Sequence, residues 1–171
     1  MKAIVVYSSK TGRIQQIAQA MAQVLPQGTP CVPVDEMPSD FSNYDCVFMG
    51  FWIDENQADP KGQEALKKIA NDHVAIFTTM YDDPYSDQAS KHLRSAVELL
   101  KPGSGVVGTY ITWTDKARYM YEPDAGEDLH LDEAQSFAKN TVSRLKGNLR
   151  KDPGLLRVRG LFYRLLRLVP G

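Results

Sequence analysis

Apolar residues along the chain follow two rhythms. Ala3–Tyr7, Cys31–Val34, Cys46–Gly50, Val74–Thr79 and Val106–Trp113 are short runs, several of them apolar nearly throughout. Such runs are expected of strands covered on both faces, as in a parallel sheet. Between them the period changes to that of a helix. Ile14, Ile17, Ala18, Met21 and Leu25 form one stripe, and Leu93, Ala96, Val97 and Leu100 form another, ended by Lys101-Pro102-Gly103. Leu66, Ile69 and Ala70 mark a shorter helix, and Ala134, Phe137, Ala138, Thr141 and Leu145 a last one.

The order β-α-β-β-α-β-α-β-α calls for right-handed crossovers. It predicts an α/β fold: a three-layer, doubly wound parallel sheet of five strands in the order 2-1-3-4-5. In such a sheet, ligands bind at the carboxyl ends of the strands, around strands one and three. Residues 114–130 form a long polar, Tyr-containing loop on that same edge, and loops of this length are usually functional or mobile.

With 171 residues and 43% hydrophobic content, the chain suits one well-buried domain. Its net charge of −1 gives no general bias toward nucleic acid, but the charge is unevenly spread. Residues 147–171 carry six Lys/Arg against the single acid Asp152, leaving 1–146 at net −6. An acidic domain, 1–146, is thus expected to carry a basic tail, 147–171. Cys31 and Cys46 have no metal-like spacing and sit in apolar runs, as buried thiols of a reducing compartment do. No secretory pattern or membrane-length apolar stretch is present, and a cytoplasmic location is expected. No nucleophile–base spacing links His73, His92 or His130 to Ser8 or Ser9, so no catalytic role is assigned to them.

The junction after the first strand reads Tyr7-Ser8-Ser9-Lys10-Thr11-Gly12-Arg13. A hydroxyl-rich loop feeding a helix offers converging N–H groups, hydroxyl donors and the positive end of the helix dipole to an anion. A plain strand–helix turn has a similar composition, so both readings stand at this point. The loop fits neither GxxxxGK[ST] nor GxGxxG, which argues against P-loop hydrolysis and dinucleotide binding.

These residues resemble the phosphate loop of the flavodoxin family, [ST]-x-T-G-x-T after an aliphatic-aromatic strand end. Ser9-Lys10-Thr11-Gly12-Arg13-Ile14 follows Val5-Val6-Tyr7, with Ala18 four residues on; only Ile14 replaces a hydroxyl. The resemblance implies FMN as cofactor, its phosphate held by Ser9, Lys10, Thr11, Gly12, Arg13 and the Ile14 N–H. Ile14 can equally cap the apolar stripe of the first helix.

The resemblance also places the flavin walls in two later loops. The first carries Phe51-Trp52 and the second Thr79-Met80-Tyr81, with Tyr85 near the family's stacking tyrosine and Tyr81 its competitor. Asp54, Glu55, Asp59, Asp82 and Asp83 cluster there, either as solvated loop acids or as charges that steer a basic partner. Many flavodoxins flip a peptide beside a glycine in the first flavin loop. Here no glycine lies between Trp52 and Gly62, so a weakly stabilised one-electron-reduced flavin is expected. The segment from Gly50 to Asp59 looks most like small bacterial flavodoxin-like proteins, some of which accompany a bilirubin-reducing enzyme.

In the tail, Leu155, Val158, Leu161, Phe162, Leu165, Leu166, Leu168 and Val169 fall on one half of a helical wheel, opposite Arg157, Arg159, Arg164 and Arg167, with Leu156 the one apolar exception on the arginine side. An amphipathic C-terminal helix over 152–169 is expected, begun by Asp152-Pro153. It suits a membrane surface, a partner's groove, or packing on its own domain or a dimer mate. The resemblance implies an electron carrier that binds FMN and exchanges electrons with a reductase or acceptor protein. The alternatives are an oxidoreductase acting directly on a quinone or tetrapyrrole, and a non-redox module that has lost FMN.

Overall fold

The computed structural model describes residues 1–81, 83–114 and 128–151. The expected tail helix, most of the 114–130 loop, and Asp82 lie outside the described residues.

Each long apolar run is a strand. These are β1 (Ala3–Tyr7), β2 (Cys31–Pro33), β3 (Cys46–Asp54), β5 (Val74–Met80) and β6 (Val106–Trp113). They pair in parallel in the order β2-β1-β3-β5-β6, the predicted order once the small strand β4 (Gln57–Ala58) is set aside. β4 is an addition. It runs antiparallel to the end of β3, pairing Ile53 with Ala58 and Asp54 with Gln57. The third strand therefore reaches Asp54, four residues beyond the apolar run that announced it. Glu55 and Asn56 join β3 to β4 at φ 44° and 72°. Positive φ at both central residues is the twist a two-residue type I′ hairpin requires.

The sheet is covered on both sides, as its continuous apolar strands demand. Alternate residues separate cleanly into two cores. Val5, Phe48, Ala75 and Phe77 pack with α1 (Arg13–Val24) and α4 (Leu131–Lys151). Val6, Met49, Phe51 and Ile76 pack with α2 (Pro60–Lys68) and α3 (Asp87–Leu99). The helix starts follow their caps: Asp59 accepts from the Gly62 N–H with Pro60 at the first position, and Ser86 accepts from the Ala89 N–H. α4 continues to Lys151, past the domain boundary expected at residue 146. No helix among the described residues is long and apolar enough to cross a membrane.

Candidate functional site

β1 and β3 end side by side at the centre of the sheet, with β2 flanking β1 and β5 flanking β3, so the loop at 8–12 leaves β1 at the switch point of the strand order, where doubly wound sheets bind their ligands. β1 hands the chain to this loop through the Ser8 N–H, which donates to the Gly50 carbonyl at 2.9 Å. Gly12 then takes φ 86°, open space lies where a Cβ would stand, and α1 begins. Ser9 Oγ accepts from the Gly12 N–H at 3.1 Å, closing the loop on itself.

The helix it introduces has no side-chain cap and no acidic residue in its first turn. Its first intrahelical bond from the cap runs from the Gln16 N–H to the Gly12 carbonyl at 3.0 Å. The N–H groups of a helix's first turn have no intrahelical acceptor, so this end is electropositive and unneutralised by its own side chains. Lys10 and Thr11 are exposed, and Ser9, Gly12 and Arg13 are partly so. The donors and cations of the loop are therefore accessible.

Ile14 faces inward. It is 1% exposed and lies in the core with Ile17 and Phe77. It closes the floor of the loop together with Gly50, where an added Cβ would stand 2.3 Å from the Phe77 ring and 2.9 Å from Ile14 Cγ2. The side chain at 14 thus serves packing, and only its backbone remains for an anion.

Two aromatics converge on the loop. The Lys10 Nζ lies 4.8 Å from the Trp52 ring centroid, and the Arg13 guanidinium 4.7 Å from that of Tyr81. Trp52 stands in β3, beside Thr79 of β5 in register, and Thr79 and Met80 end that strand rather than beginning a loop. Tyr81 is 43% exposed. The other two aromatics named from the sequence lie elsewhere. Phe51 points to the opposite layer and is fully buried, as alternation along β3 requires. Tyr85 is 92% exposed.

The acids also divide. Asp54 is half-buried and Glu55 and Asp83 are exposed, but Asp59 is only 2% exposed. The solvated-acid reading therefore fails for Asp59, which caps α2 from the interior and accepts a hydrogen bond from Ser8 Oγ at 2.6 Å. Its Asp-Pro signature is a helix-start signal that marks the cap, while the Ser8 contact spans 51 positions and has no local signal. The hairpin tip was also missed. His92, 3% exposed on α3, places Nδ1 2.7 Å from the Asn56 carbonyl oxygen, and Gln88 donates to Asn56 Oδ1 at 3.1 Å. α3 thereby supports the hairpin that follows Trp52.

The family model described as "Flavodoxin domain" matches residues 4–121, more than half of the chain. The chain belongs to the flavodoxin-domain family. Its sequence is 27% identical over 114 residues to the flavodoxin-like domain-containing protein BilS of Clostridioides difficile, covering 65% of each protein. Among solved structures it resembles a WrbA-like flavodoxin protein from Agrobacterium tumefaciens, with TM-score 0.59 and 14% identity over 85% of this chain and 98% of that one. It also resembles a short-chain flavodoxin associated with a bacterial microcompartment, with TM-score 0.57 and 17% identity over 85% and 99% of the two chains. These likenesses establish the flavodoxin-like fold, and the family is one of flavoproteins.

Proposed function

We propose that the chain binds FMN at the β1/β3 crevice and passes electrons to a partner redox enzyme. The observation that carries this reading is the convergence of an uncapped, acid-free helix N-terminus with two half-exposed aromatic faces in one crevice. The donor set fits a phosphate monoester. The hydroxyls of Ser9 and Thr11 and the Ile14 N–H supply hydrogen bonds, Gly12 gives the turn its left-handed backbone, and Lys10 and Arg13 supply positive charge that offsets the missing hydroxyl at 14.

Trp52 and Tyr81 would hold a planar apolar ring by stacking, with Thr79 and Met80 of the neighbouring strand end and the exposed Tyr85 as further candidates for contact. When bound, FMN supplies the electron-accepting and electron-donating chemistry, and the protein supplies binding, orientation and electrostatics. The exposure of Tyr81 leaves the site open to a second macromolecule. The negative body of the chain, with Asp54, Glu55 and Asp83 near the crevice, favours a partner with a basic docking face. The resemblance of the Gly50–Asp59 segment makes a bilirubin-reducing enzyme the first acceptor to try.

Anaerobic mixing tests this. Reduced, FMN-loaded protein is expected to reoxidise only when acceptor enzyme and its pigment are both present. Reoxidation by pigment alone would replace the carrier with a direct oxidoreductase. Residues 152–169 are proposed as a contact for an anionic membrane or partner, tested by co-sedimentation with anionic vesicles of the full chain against a 1–151 form. Equal sedimentation of the two would remove the membrane role.

A further inference from the structure

Ser8 and Asp59 are polar, adjacent in space, and sealed inside the protein at 5% and 2% exposure. One carboxylate oxygen, Oδ1, accepts from both the Ser8 hydroxyl at 2.6 Å and the Gly62 N–H at 3.0 Å. The other, Oδ2, is buried and has no hydrogen-bond partner among the described residues. Gly62 makes the room: a Cβ there would stand 2.7 Å from Oδ2 and 2.9 Å from Phe51 Cβ.

Capping alone does not account for this arrangement. Capping α2 needs only the bond from the Gly62 N–H, and burying a carboxylate with its second oxygen unsatisfied costs free energy that an exposed cap avoids. Nor does the fold need a hydroxyl at 8, since the Ser8 N–H already completes the ladder to Gly50.

What the pair does is join two parts of the crevice. Asp59 is tied on one side to the first aromatic wall, its N–H donating to the Trp52 carbonyl at 3.0 Å. On the other side it holds Ser8, the residue immediately before Ser9, whose Oγ in turn holds the Gly12 N–H. A continuous run of short bonds therefore leads from Trp52 through Asp59 and Ser8 to the turn that opens α1.

We propose that Asp59, acting through Ser8, is a positioning residue that sets the anion loop against Trp52 and carries part of the phosphate-dependent affinity for FMN without touching it. This rests on the proposed FMN site. Its consequence is selective: loosening the loop weakens binding of the phosphate and leaves the ring's contacts alone.

Two single variants isolate the link. Ser8→Ala removes the hydroxyl. Asp59→Ser keeps an N-cap side chain for α2 but is too short to reach Ser8. Each is expected to weaken FMN binding about tenfold, because the free energy of the broken Ser8–Asp59 bond bounds how much of the loop's preorganisation can be lost. Affinity for riboflavin, which lacks the phosphate, is expected to stay within about twofold. The double variant should be no worse than either single one, because both break the same contact.

Parallel loss of FMN and riboflavin affinity would show a merely structural role and overturn the proposal, as would unchanged FMN affinity. A second readout needs no cofactor. Hydrogen exchange of the 8–16 backbone amides in the FMN-free chain is expected to accelerate at least about fivefold in both variants, with the α2 amides beyond its first turn unchanged. If wild-type protein binds no FMN, the FMN reading fails, and this exchange result still decides the coupling: acceleration supports it and unchanged loop exchange ends it.

Discussion

The Lys10 ammonium sits 4.8 Å from the centre of the Trp52 indole, so a cation of the anion loop covers the face of the first aromatic wall. A cation–π contact at such an accessible place is worth about 0.5–1 kcal/mol. A doubly charged phosphate offers Lys10 a stronger partner, so the ammonium is expected to leave the indole when FMN binds. Lys10→Gln should therefore weaken FMN binding several-fold at low salt, with most of the difference gone at high salt, because an accessible charge is screened. Titrations at two ionic strengths check this. A loss that is independent of salt would mean that Lys10 does not act through its charge.

Ile14 poses packing against binding. Ile14→Thr puts back the hydroxyl that the family motif carries, at a position 1% exposed and in contact with the core. The lost methyl group and the buried hydroxyl should destabilise the fold by about 2 kcal/mol. FMN should nevertheless bind up to about tenfold tighter, through one added bond to a charged group. Chemical denaturation and FMN titration of the same variant separate the two effects. Weaker binding together with lower stability would show that the core cannot release that side chain to the loop.

Much of the architecture was legible because burial on both faces leaves apolar runs with no polar alternation. Val5, Phe48 and Phe77 on one face and Val6, Met49 and Ile76 on the other together write those runs. The hairpin was not legible. Glu55-Asn56 lacks the glycine that usually announces a type I′ turn, and β4 contributes only Gln57 and Ala58. The anion loop could be read locally, since its residues are consecutive. The Ser8–Asp59 bond could not, because it joins residues far apart in sequence, and a lone aspartate in an acidic loop reads as solvated. Gly50 carries no sequence signal that sets it apart from other strand glycines, yet the Phe77 ring stands where its Cβ would be.

Glu55 holds φ 44° with a side chain, a conformation that costs a non-glycine residue about 1 kcal/mol. Glu55→Gly should relieve that strain and raise Tm by about 2–4 °C in a chain of this size. The wild-type hairpin, clamped through Asn56 to His92 and Gln88, is also expected to resist peptide rotation. Stepwise reduction of the FMN-loaded wild type should then show little one-electron-reduced flavin, and Glu55→Gly should show more. A strong long-wavelength band in the wild type would refute the second expectation.

Burial raises the thiol of Cys46, helped by the charge of Asp45, and the phenol of Tyr110, each to about 12. Both groups keep their protons in the folded chain at pH values where the unfolded chain, at 9.0 and 10.0, gives them up. Folding stability from these groups is thus complete below about pH 9 and declines as pH rises toward 12. Urea unfolding between pH 8 and 11 should show the fall, and Cys46 should resist thiol reagents in the native state at pH 8. Flat stability across that range would contradict the burial of both groups.

The central claim is that the β1/β3 crevice binds FMN through the Ser9–Ile14 loop and the Trp52 face. Titration of the cofactor-free protein with FMN, following flavin absorbance and tryptophan emission in a Trp113→Phe background, tests it most directly. One equivalent of FMN should bind, with quenching of the remaining Trp52 emission and clear preference over riboflavin. Failure of the folded protein to bind FMN, or equal affinity for FMN and riboflavin, would contradict it.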